Sequence, residues 1–312
     1  MDPQGIGTPV AWIGFTGFVL ALLALDLGVF HRQAHAVRVR EALVWSGIWI
    51  GLALAFDLGL YWLHGPQAAL AFLGGYVIEK ALSVDNIFVF IVIFSAFAVP
   101  PRLQHRVLFW GVLGALVMRA LFIALGAALL HRFHFINYVF GAFLVITAAK
   151  LLWRPGAEPD PRRNPLYRWF TRLVPSVPDD RDGRFLVREG GRRYATPLLL
   201  VLVAIEASDV VFAVDSIPAI FAITTDPFIV YTSNIFALLG LRSLYFALAG
   251  VVDKFRHLKL GLALVLMFVG LKMLVAGMFV VPVGASLAVI FVILGASVLA
   301  SLRPPAAPPR SA

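Results

Sequence analysis

The chain has 312 residues, of which 61% are apolar and only 14% are charged. This composition is far more hydrophobic than that of a water-soluble domain, and it excludes a soluble enzyme with a single membrane anchor. The chain has no cysteine, which excludes disulfides, thiolate metal sites and cysteine nucleophiles. Its formal net charge of +9 comes from basic residues in the connections between apolar stretches, so it indicates membrane topology and not nucleic-acid binding.

The apolar stretches predict an all-α, polytopic membrane protein with nine transmembrane helices. We place the nine spans at residues 9–30, 41–63, 68–98, 107–130, 135–153, 196–223, 228–251, 259–280 and 283–302. Basic residues are concentrated in alternate connections, and ten arginines lie between Arg154 and Arg193. The positive-inside rule therefore predicts that the N-terminus lies outside and the C-terminus in the cytoplasm.

An internal repeat divides the chain. Three segments recur in the same order on the two sides of a long polar connection, 122 to 124 residues apart. The matched charged residues are Arg119 and Arg242, Asp85 and Asp209, and Lys150 and Lys272. Because each copy has three spans, the second copy must cross the membrane in the opposite sense, as in the inverted repeats of many secondary transporters. Chance similarity among apolar helices is the alternative, and the matched charges argue against it.

The repeat gives the predicted domain layout. Residues 1–67 hold the first two helices, 68–153 the first three-helix repeat, 154–195 a cytoplasmic linker, 196–280 the second repeat, and 281–312 the last helix with a disordered tail. The linker is rich in Pro, Arg and Asp and has too few apolar residues for a core of its own. Transporters built from such repeats bind their substrate between the two copies, near the middle of the bilayer.

Spans three and six, which the repeat relates to each other, carry five carboxylates. These are Glu79 and Asp85 in span three and Glu206, Asp209 and Asp215 in span six. A carboxylate at the bilayer centre costs about 2.5 to 3.5 kcal/mol on insertion scales, so each one requires a partner or a polar cavity. We therefore predict that these side chains face a functional site near the midplane.

Structural salt bridges are the alternative explanation for these acids. Four basic residues also lie within the spans, namely Lys80, Arg119, Arg242 and Lys272. We expect some pairing, with Lys80 or Arg119 holding an acid while the site is unloaded. We favour a functional site, because burying so many charges for the fold alone is rarely stabilising.

Helix geometry limits how the acids of span six can act together. At 100° per residue Glu206 and Asp209 share a face, whereas Asp215 lies opposite Glu206 and about 13 Å away along the axis. Pro218 has no N–H, so it leaves the carbonyl of Val214 without its helical partner. We therefore predict a broken or kinked span six, in which the freed backbone oxygen serves as an additional ligand.

The donor types predict which ion would bind. All seven histidines lie in connections or at the ends of spans, so the ligands near the midplane are oxygen atoms. The predicted ligands are Glu79, Asp85, Asn86, Glu206, Asp209 and Asp215. Such sites suit Mn²⁺, Mg²⁺ and Ca²⁺ and disfavour Zn²⁺ and copper, and these residues do not separate the first three ions. Asp26 and Asp57 lie nearer the ends of their spans and are not first-choice ligands.

Three long segments resemble the hallmark segments of a known family. They are DLGVFHR at 26–32, EKALSVDNIFVF at 79–90 and IEASDVVFAVDSIPAIFAIT at 205–224. They are similar to segments of the TerC family, which includes the Alx-type manganese exporters, and the resemblance extends over almost the whole chain. It implies a protein of the bacterial inner membrane, related to the LysE transporter superfamily, that exports Mn²⁺. It also implies that the metal-handling acids are Glu79, Asp85, Glu206, Asp209 and Asp215.

The leading hypothesis is export of Mn²⁺ by alternating access, in which spans three and six move against each other around the acidic site. The energy source of export stays open, and exchange with protons is one candidate, because a buried carboxylate can take up a proton when the ion leaves. Alternatives are a metal sensor or scaffold, and a transporter of Ca²⁺ or Mg²⁺. We do not expect an enzyme, because the chain contains neither the Gly-Asp dipeptide of GxGD proteases nor an HExxH motif. The bilayer is the expected partner, and the oligomeric state stays open.

Overall fold

The computed structural model describes residues 5–25, 39–133, 135–153, 165–177, 183–189, 191–248, 257–279 and 281–302. Asp26 and the C-terminal tail, about which the sequence makes predictions, lie outside these ranges. Asp85 and Asp215 are described by their helical backbone only.

The described chain is mostly α-helical. Its helices are α1 (Pro9–Leu25), α2 (Val39–His64), α3 (Pro66–Ala96), α4 (Pro101–Arg132), α5 (Ile136–Trp153), α6 (Pro165–Leu173), α7 (Pro197–Phe221), α8 (Pro227–Leu239), α9 (Leu241–Leu248), α10 (Leu258–Leu274) and α11 (Val283–Leu302). Within the described residues, five segments are long and apolar enough to cross a membrane: α2, α4, α7, α11, and α8 together with α9. Helices α1, α5 and α10 are apolar but shorter. The chain is thus a polytopic helical membrane protein, while the count of nine spans and their orientation stay predictions.

Proline starts many of these helices. It stands in the first turn of α3, α4, α7 and α8, where its missing N–H would have no partner in the helix in any case. Asp226 adds a side-chain cap to α8, because its Oδ1 accepts hydrogen bonds from the backbone N–H of Phe228 at 2.9 Å and of Ile229 at 3.2 Å. The positions of the helix starts are therefore encoded by single residues.

Helices that the repeat relates to each other pack together. Helix α5 lies along α10, α3 along α7, and α4 against both α8 and α9. At the crossing of α5 and α10, a Cβ added to Gly270 would lie 2.8 Å from the carbonyl oxygen of Gly141, so the two backbones touch. Small residues permit such close approach between membrane helices. The two copies of the repeat therefore meet in the centre of the bundle, where α3 and α7 carry the acids.

Span six was predicted to be broken or kinked, and the break is wrong. Helix α7 continues through Pro218 to Phe221, because Pro218 lies in its last turn, where only the carbonyl of Val214 loses a donor. Span seven is the divided one, since α8 ends at Leu239, Gly240 caps it, and α9 begins at Leu241. Beside this break the ammonium group of Lys80 donates a hydrogen bond to the carbonyl oxygen of Ala237 at 3.2 Å.

The linker contains more structure than its composition predicts. Besides α6 it forms an antiparallel hairpin of β1 (Leu186–Glu189) and β2 (Arg192–Ala195), with Gly191 in the left-handed region at φ 83°. Phe185 precedes the hairpin and packs edge-on against Trp110 of α4, while the guanidinium of Arg106 lies 5.3 Å from its ring centre. The linker therefore folds back onto the start of α4.

Candidate metal site

A buried arginine is the centre of the candidate site. Arg119 of α4 has no exposed surface, and its guanidinium forms an ion pair with the carboxylate of Glu79 on α3. The same guanidinium holds Asp209 of α7 with two hydrogen bonds, from Nη2 to Oδ1 at 3.0 Å and from Nε to Oδ2 at 3.3 Å. Arg119 therefore links the two helices that carry the predicted acids.

Two polar side chains complete the contacts of this cluster. The Oδ1 of Asn234 on α8 accepts a hydrogen bond from Arg119 Nη1 at 2.9 Å, and its Nδ2 donates one to Glu79 Oε2 at 3.2 Å. The hydroxyl oxygen of Ser216 on α7 lies 3.5 Å from Arg119 Nη1. Four helices, α3, α4, α7 and α8, thus contribute to one buried polar cluster.

The charge balance of the cluster favours cations. Two carboxylates, Glu79 and Asp209, face one guanidinium, so the group has one net negative charge when all three are ionised. Removing such charges from water is costly unless they are hydrogen-bonded. The planar guanidinium of arginine has five N–H donors, so it can donate hydrogen bonds to two carboxylates at once. An additional cation would find excess negative charge here, whereas an oxyanion would be repelled.

The predicted common face of Glu206 and Asp209 is confirmed, because both side chains lie against α4. The Asp209 carboxylate contacts Arg119, and the Glu206 carboxylate lies where a Cβ of Gly114 would be. Gly114 therefore leaves the room that the Glu206 carboxylate occupies. Glu206 precedes Asp209 by three residues on α7, about 4.5 Å along the axis, so its carboxylate lies one turn away from the carboxylate that Arg119 holds.

The structure brings some of the six predicted ligands together. Glu79 and Asp209 meet at Arg119, and Glu206 lies close by on α7. Asn86 is buried on α3, and its Oδ1 has no hydrogen-bond partner within the described part of the chain. The side chains of Asp85 and Asp215 lie outside the described residues. In the same described ranges, no three His, Cys, Asp or Glu side chains form a group able to hold a metal. The complete ligand set therefore stays a prediction.

Of the two bases expected to hold an acid, Arg119 does so, with both Glu79 and Asp209. Asn234 and Ser216 are contributions that the sequence reasoning missed. A signal for Asn234 was present, since it is the last residue of the polar run 231–234, which lies between apolar residues of a predicted span. Ser216 directly follows a predicted ligand, Asp215.

Comparison with known proteins agrees with the resemblance seen in these segments. The model of the TerC family of integral membrane proteins matches residues 64–306. The chain belongs to the TerC family. No solved structure matches it.

Relatives of the chain align over nearly their full length. A Myxococcus xanthus protein named "Uncharacterized membrane protein STKORF319" is 56% identical over 95% of this chain and 93% of its own. An Escherichia coli (strain K12) protein named "Putative membrane-bound redox modulator Alx" is 48% identical over 93% of both chains. A Rickettsia felis membrane protein is 39% identical over 94% of this chain and 97% of its own. All three come from bacteria.

Proposed function

We propose that this TerC family protein is a transporter that carries Mn²⁺ out of the bacterial cytoplasm across the inner membrane. The observation that supports this most strongly is the buried cluster in which Arg119 bridges Glu79 of α3 and Asp209 of α7. The carboxylates come from two helices that the repeat relates to each other, which is where transporters built from inverted repeats bind their substrates.

In this mechanism the guanidinium of Arg119 occupies the place of the substrate while the site is unloaded. An arriving Mn²⁺ displaces it and takes the carboxylates of Glu79 and Asp209 as ligands. The amide oxygen of Asn234 and the hydroxyl of Ser216, which already contact the guanidinium, are further hard oxygen ligands of the kind that Mn²⁺ accepts. When the ion leaves, Arg119 returns and pairs with both carboxylates, so neither is left as an unpaired buried charge.

Movement of α3 against α7 would open the site to one side of the membrane at a time. We propose that protons drive this cycle, because a buried carboxylate can be neutralised by a proton as well as by a metal ion. An imposed proton gradient should then drive Mn²⁺ against its own concentration gradient in vesicles. Accumulation that is indifferent to the proton gradient would contradict this coupling and leave the transport proposal intact.

The experiment that tests the transport proposal measures Mn²⁺ flux in proteoliposomes. We expect native protein to carry Mn²⁺, and Glu79→Gln and Asp209→Asn each to lower the rate by at least about tenfold, because each removes one charged ligand. Glu189→Gln is the matched control, since it makes the same chemical change on the exposed hairpin. Unchanged flux in both site variants would contradict the proposal. Competition with Ca²⁺ and Mg²⁺ in the same vesicles identifies the preferred ion.

A metal sensor or scaffold is the second candidate. The observation that favours it is that Arg119 forms ion pairs with both Glu79 and Asp209, so neither carboxylate needs a metal ion as its counter-charge. A redox role, which the name of the Escherichia coli relative suggests, would have to act without thiols here, because the 312 residues contain no cysteine. Saturable Mn²⁺ binding without net flux would favour this candidate over transport.

A further inference from the structure

One face of α3 is polar over a long distance. Tyr76, Glu79, Ser83 and Asn86 are spaced by three, four and three residues, which places all four on the same side of a helix. They cover about 15 Å along the helix axis. Each is buried, with exposed fractions of 6%, 0%, 0% and 1% in chain order. Glu79, which contacts Arg119, lies within this row.

The three neighbours of Glu79 in this row share an unusual property. The phenol oxygen of Tyr76, the hydroxyl oxygen of Ser83 and Oδ1 of Asn86 are buried and have no hydrogen-bond partner among the described residues. Buried polar atoms are normally hydrogen-bonded, because leaving one unpaired loses the contacts that water would have provided. Three such atoms on one face of one helix therefore require an explanation.

Other buried hydroxyls in the bundle show what Ser83 lacks. A serine or threonine in a membrane helix commonly donates to a backbone carbonyl one turn earlier. Ser208 does so to the carbonyl of Ala204 at 2.8 Å, and Thr232 does so to the carbonyl of Phe228 at 2.8 Å. The serines of α11 follow the same rule, as Ser297 bonds the carbonyl of Ile293 at 2.8 Å. The hydroxyl of Ser83 is thus not used by its own helix.

We propose that Tyr76, Ser83 and Asn86 form an oxygen ladder along α3, which the transported divalent cation follows to and from Glu79. This inference rests on the proposed transport function. Asn86 is already a predicted ligand, whereas Ser83 and Tyr76 are new assignments. In the predicted orientation Ser83 and Asn86 lie on the cytoplasmic side of Glu79 and Tyr76 lies on the outer side.

The chemistry of the ladder suits transit better than tight binding. Hydroxyl, phenol and amide oxygens are hard donors that can replace part of the hydration shell of a divalent cation. Being neutral, they hold the ion less firmly than a carboxylate does. A conduction path requires this, because each step must bind the ion well enough to admit it and weakly enough to release it.

The test compares hydroxyls that lack a partner with hydroxyls that have one. Ser83→Ala and Tyr76→Phe remove oxygen atoms of the ladder. Ser208→Ala and Tyr245→Phe are the matched controls, since Ser208 bonds the Ala204 carbonyl and the phenol of Tyr245 donates to Gln104 Oε1 at 2.9 Å. Each variant is reconstituted for Mn²⁺ flux, and its thermal unfolding is measured in detergent.

We expect the ladder variants to lose flux by about tenfold while their unfolding temperature stays the same or rises, since no bond is broken. The controls should keep their flux, and their unfolding temperature should fall slightly. Native flux rates in Ser83→Ala and Tyr76→Phe, or a loss of flux together with a loss of stability, would overturn the ladder. If Glu79→Gln also carries Mn²⁺ at the native rate, the proposed function itself fails. If only Glu79→Gln is impaired, the ladder alone fails.

Discussion

Helix α4 and the α8–α9 pair are equivalent in the sequence repeat but differ in structure. Helix α4 is continuous for 32 residues and presents Arg119 to the site. Its counterpart divides at Gly240, two residues before Arg242, which matches Arg119 in the repeat. The residue of α4 equivalent to Gly240 is Val117, and 67% of its surface is exposed. A repeated sequence has therefore produced one continuous helix and one divided helix.

Gly240 lies in a crowded part of the bundle. A Cβ there would lie 2.7 Å from Nζ of Lys80 and 3.3 Å from Cβ of Trp49, so only glycine fits without displacing a neighbour. Lys80 uses this space to reach the carbonyl of Ala237 near the end of α8. Helix α4 is thus continuous where it carries the buried Arg119, while its counterpart is divided next to the ammonium group of Lys80.

The largest expected effect follows from removing the guanidinium group that α4 contributes to the buried cluster. Arg119→Gln leaves Glu79 and Asp209 buried without their common counter-charge. Removal of one partner from a buried ion pair typically costs about 3 to 5 kcal/mol, so we expect a loss of this size in the free energy of unfolding and loss of Mn²⁺ flux. Denaturant titration of the purified protein measures the first, and proteoliposomes measure the second.

Arg188→Gln on the exposed hairpin is the control for Arg119→Gln, and it should change neither quantity. Arg119→Lys should resemble Arg119→Gln, because a single ammonium group cannot reproduce the separate contacts that Nε, Nη1 and Nη2 make. Native stability in Arg119→Lys would show that the fork geometry is unimportant.

The next largest effect should come from closing the space at the divided helix. Gly240→Val gives the second repeat the side chain that α4 has at this position. We expect it to destabilise the protein by about 1 to 3 kcal/mol, since the new side chain meets Lys80 and Trp49 in a packed region. The unfolding free energy checks this, and a variant as stable as the native protein would show that the space is not needed.

A smaller effect is expected at the N-terminus of α8, where the α8–α9 pair begins. Asp226 caps α8, and its Oδ2 also accepts a hydrogen bond from the backbone N–H of Ile6 at 2.7 Å. The equivalent start of α4 has Pro100 and no side-chain cap. Asp226→Ala should therefore cost about 0.5 to 2 kcal/mol of stability. Thermal unfolding measures it, and faster cleavage before α1 by added protease should accompany it if the bond to Ile6 holds that segment.

The smallest effect is the converse substitution in α4. Val117→Gly places glycine where the second repeat has Gly240, but the Val117 side chain is exposed, so its removal leaves no cavity in a packed region. We expect a cost of about 0.5 kcal/mol from the lower helix propensity of glycine, with Mn²⁺ flux unchanged. If Val117→Gly lowers the free energy of unfolding as much as Gly240→Val does, the continuity of α4 at this position would also depend on its side chain.

The central part of the site could be predicted from the sequence because charges in apolar spans are conspicuous. Glu79, Asp209 and Arg119 are charged residues within long apolar segments, and the repeat relates the helices that carry the two acids. Helical periodicity was sufficient to predict that Glu206 and Asp209 share a face. Which base would hold which acid could not be read from the sequence, because it depends on how four helices pack.

Other features were missed for physical reasons. Pro218 was expected to break its helix, but a proline in the last turn costs only one backbone hydrogen bond. The division at Gly240 lies beside Lys80, which reaches the Ala237 carbonyl from another helix, and no local pattern reveals such an approach. The hairpin of the linker did have a local signal in the sequence, since the dipeptide Gly190-Gly191 is of a type common in the turns of hairpins.

Electron paramagnetic resonance of Mn²⁺ tests most directly whether Glu79 and Asp209 bind a divalent cation in exchange for Arg119. Titration of the purified native protein should remove free Mn²⁺ signal saturably, and Asp209→Asn and Glu79→Gln should each abolish most of this binding, while Glu189→Gln keeps it. Binding of Mn²⁺ by both site variants with native affinity would contradict the account.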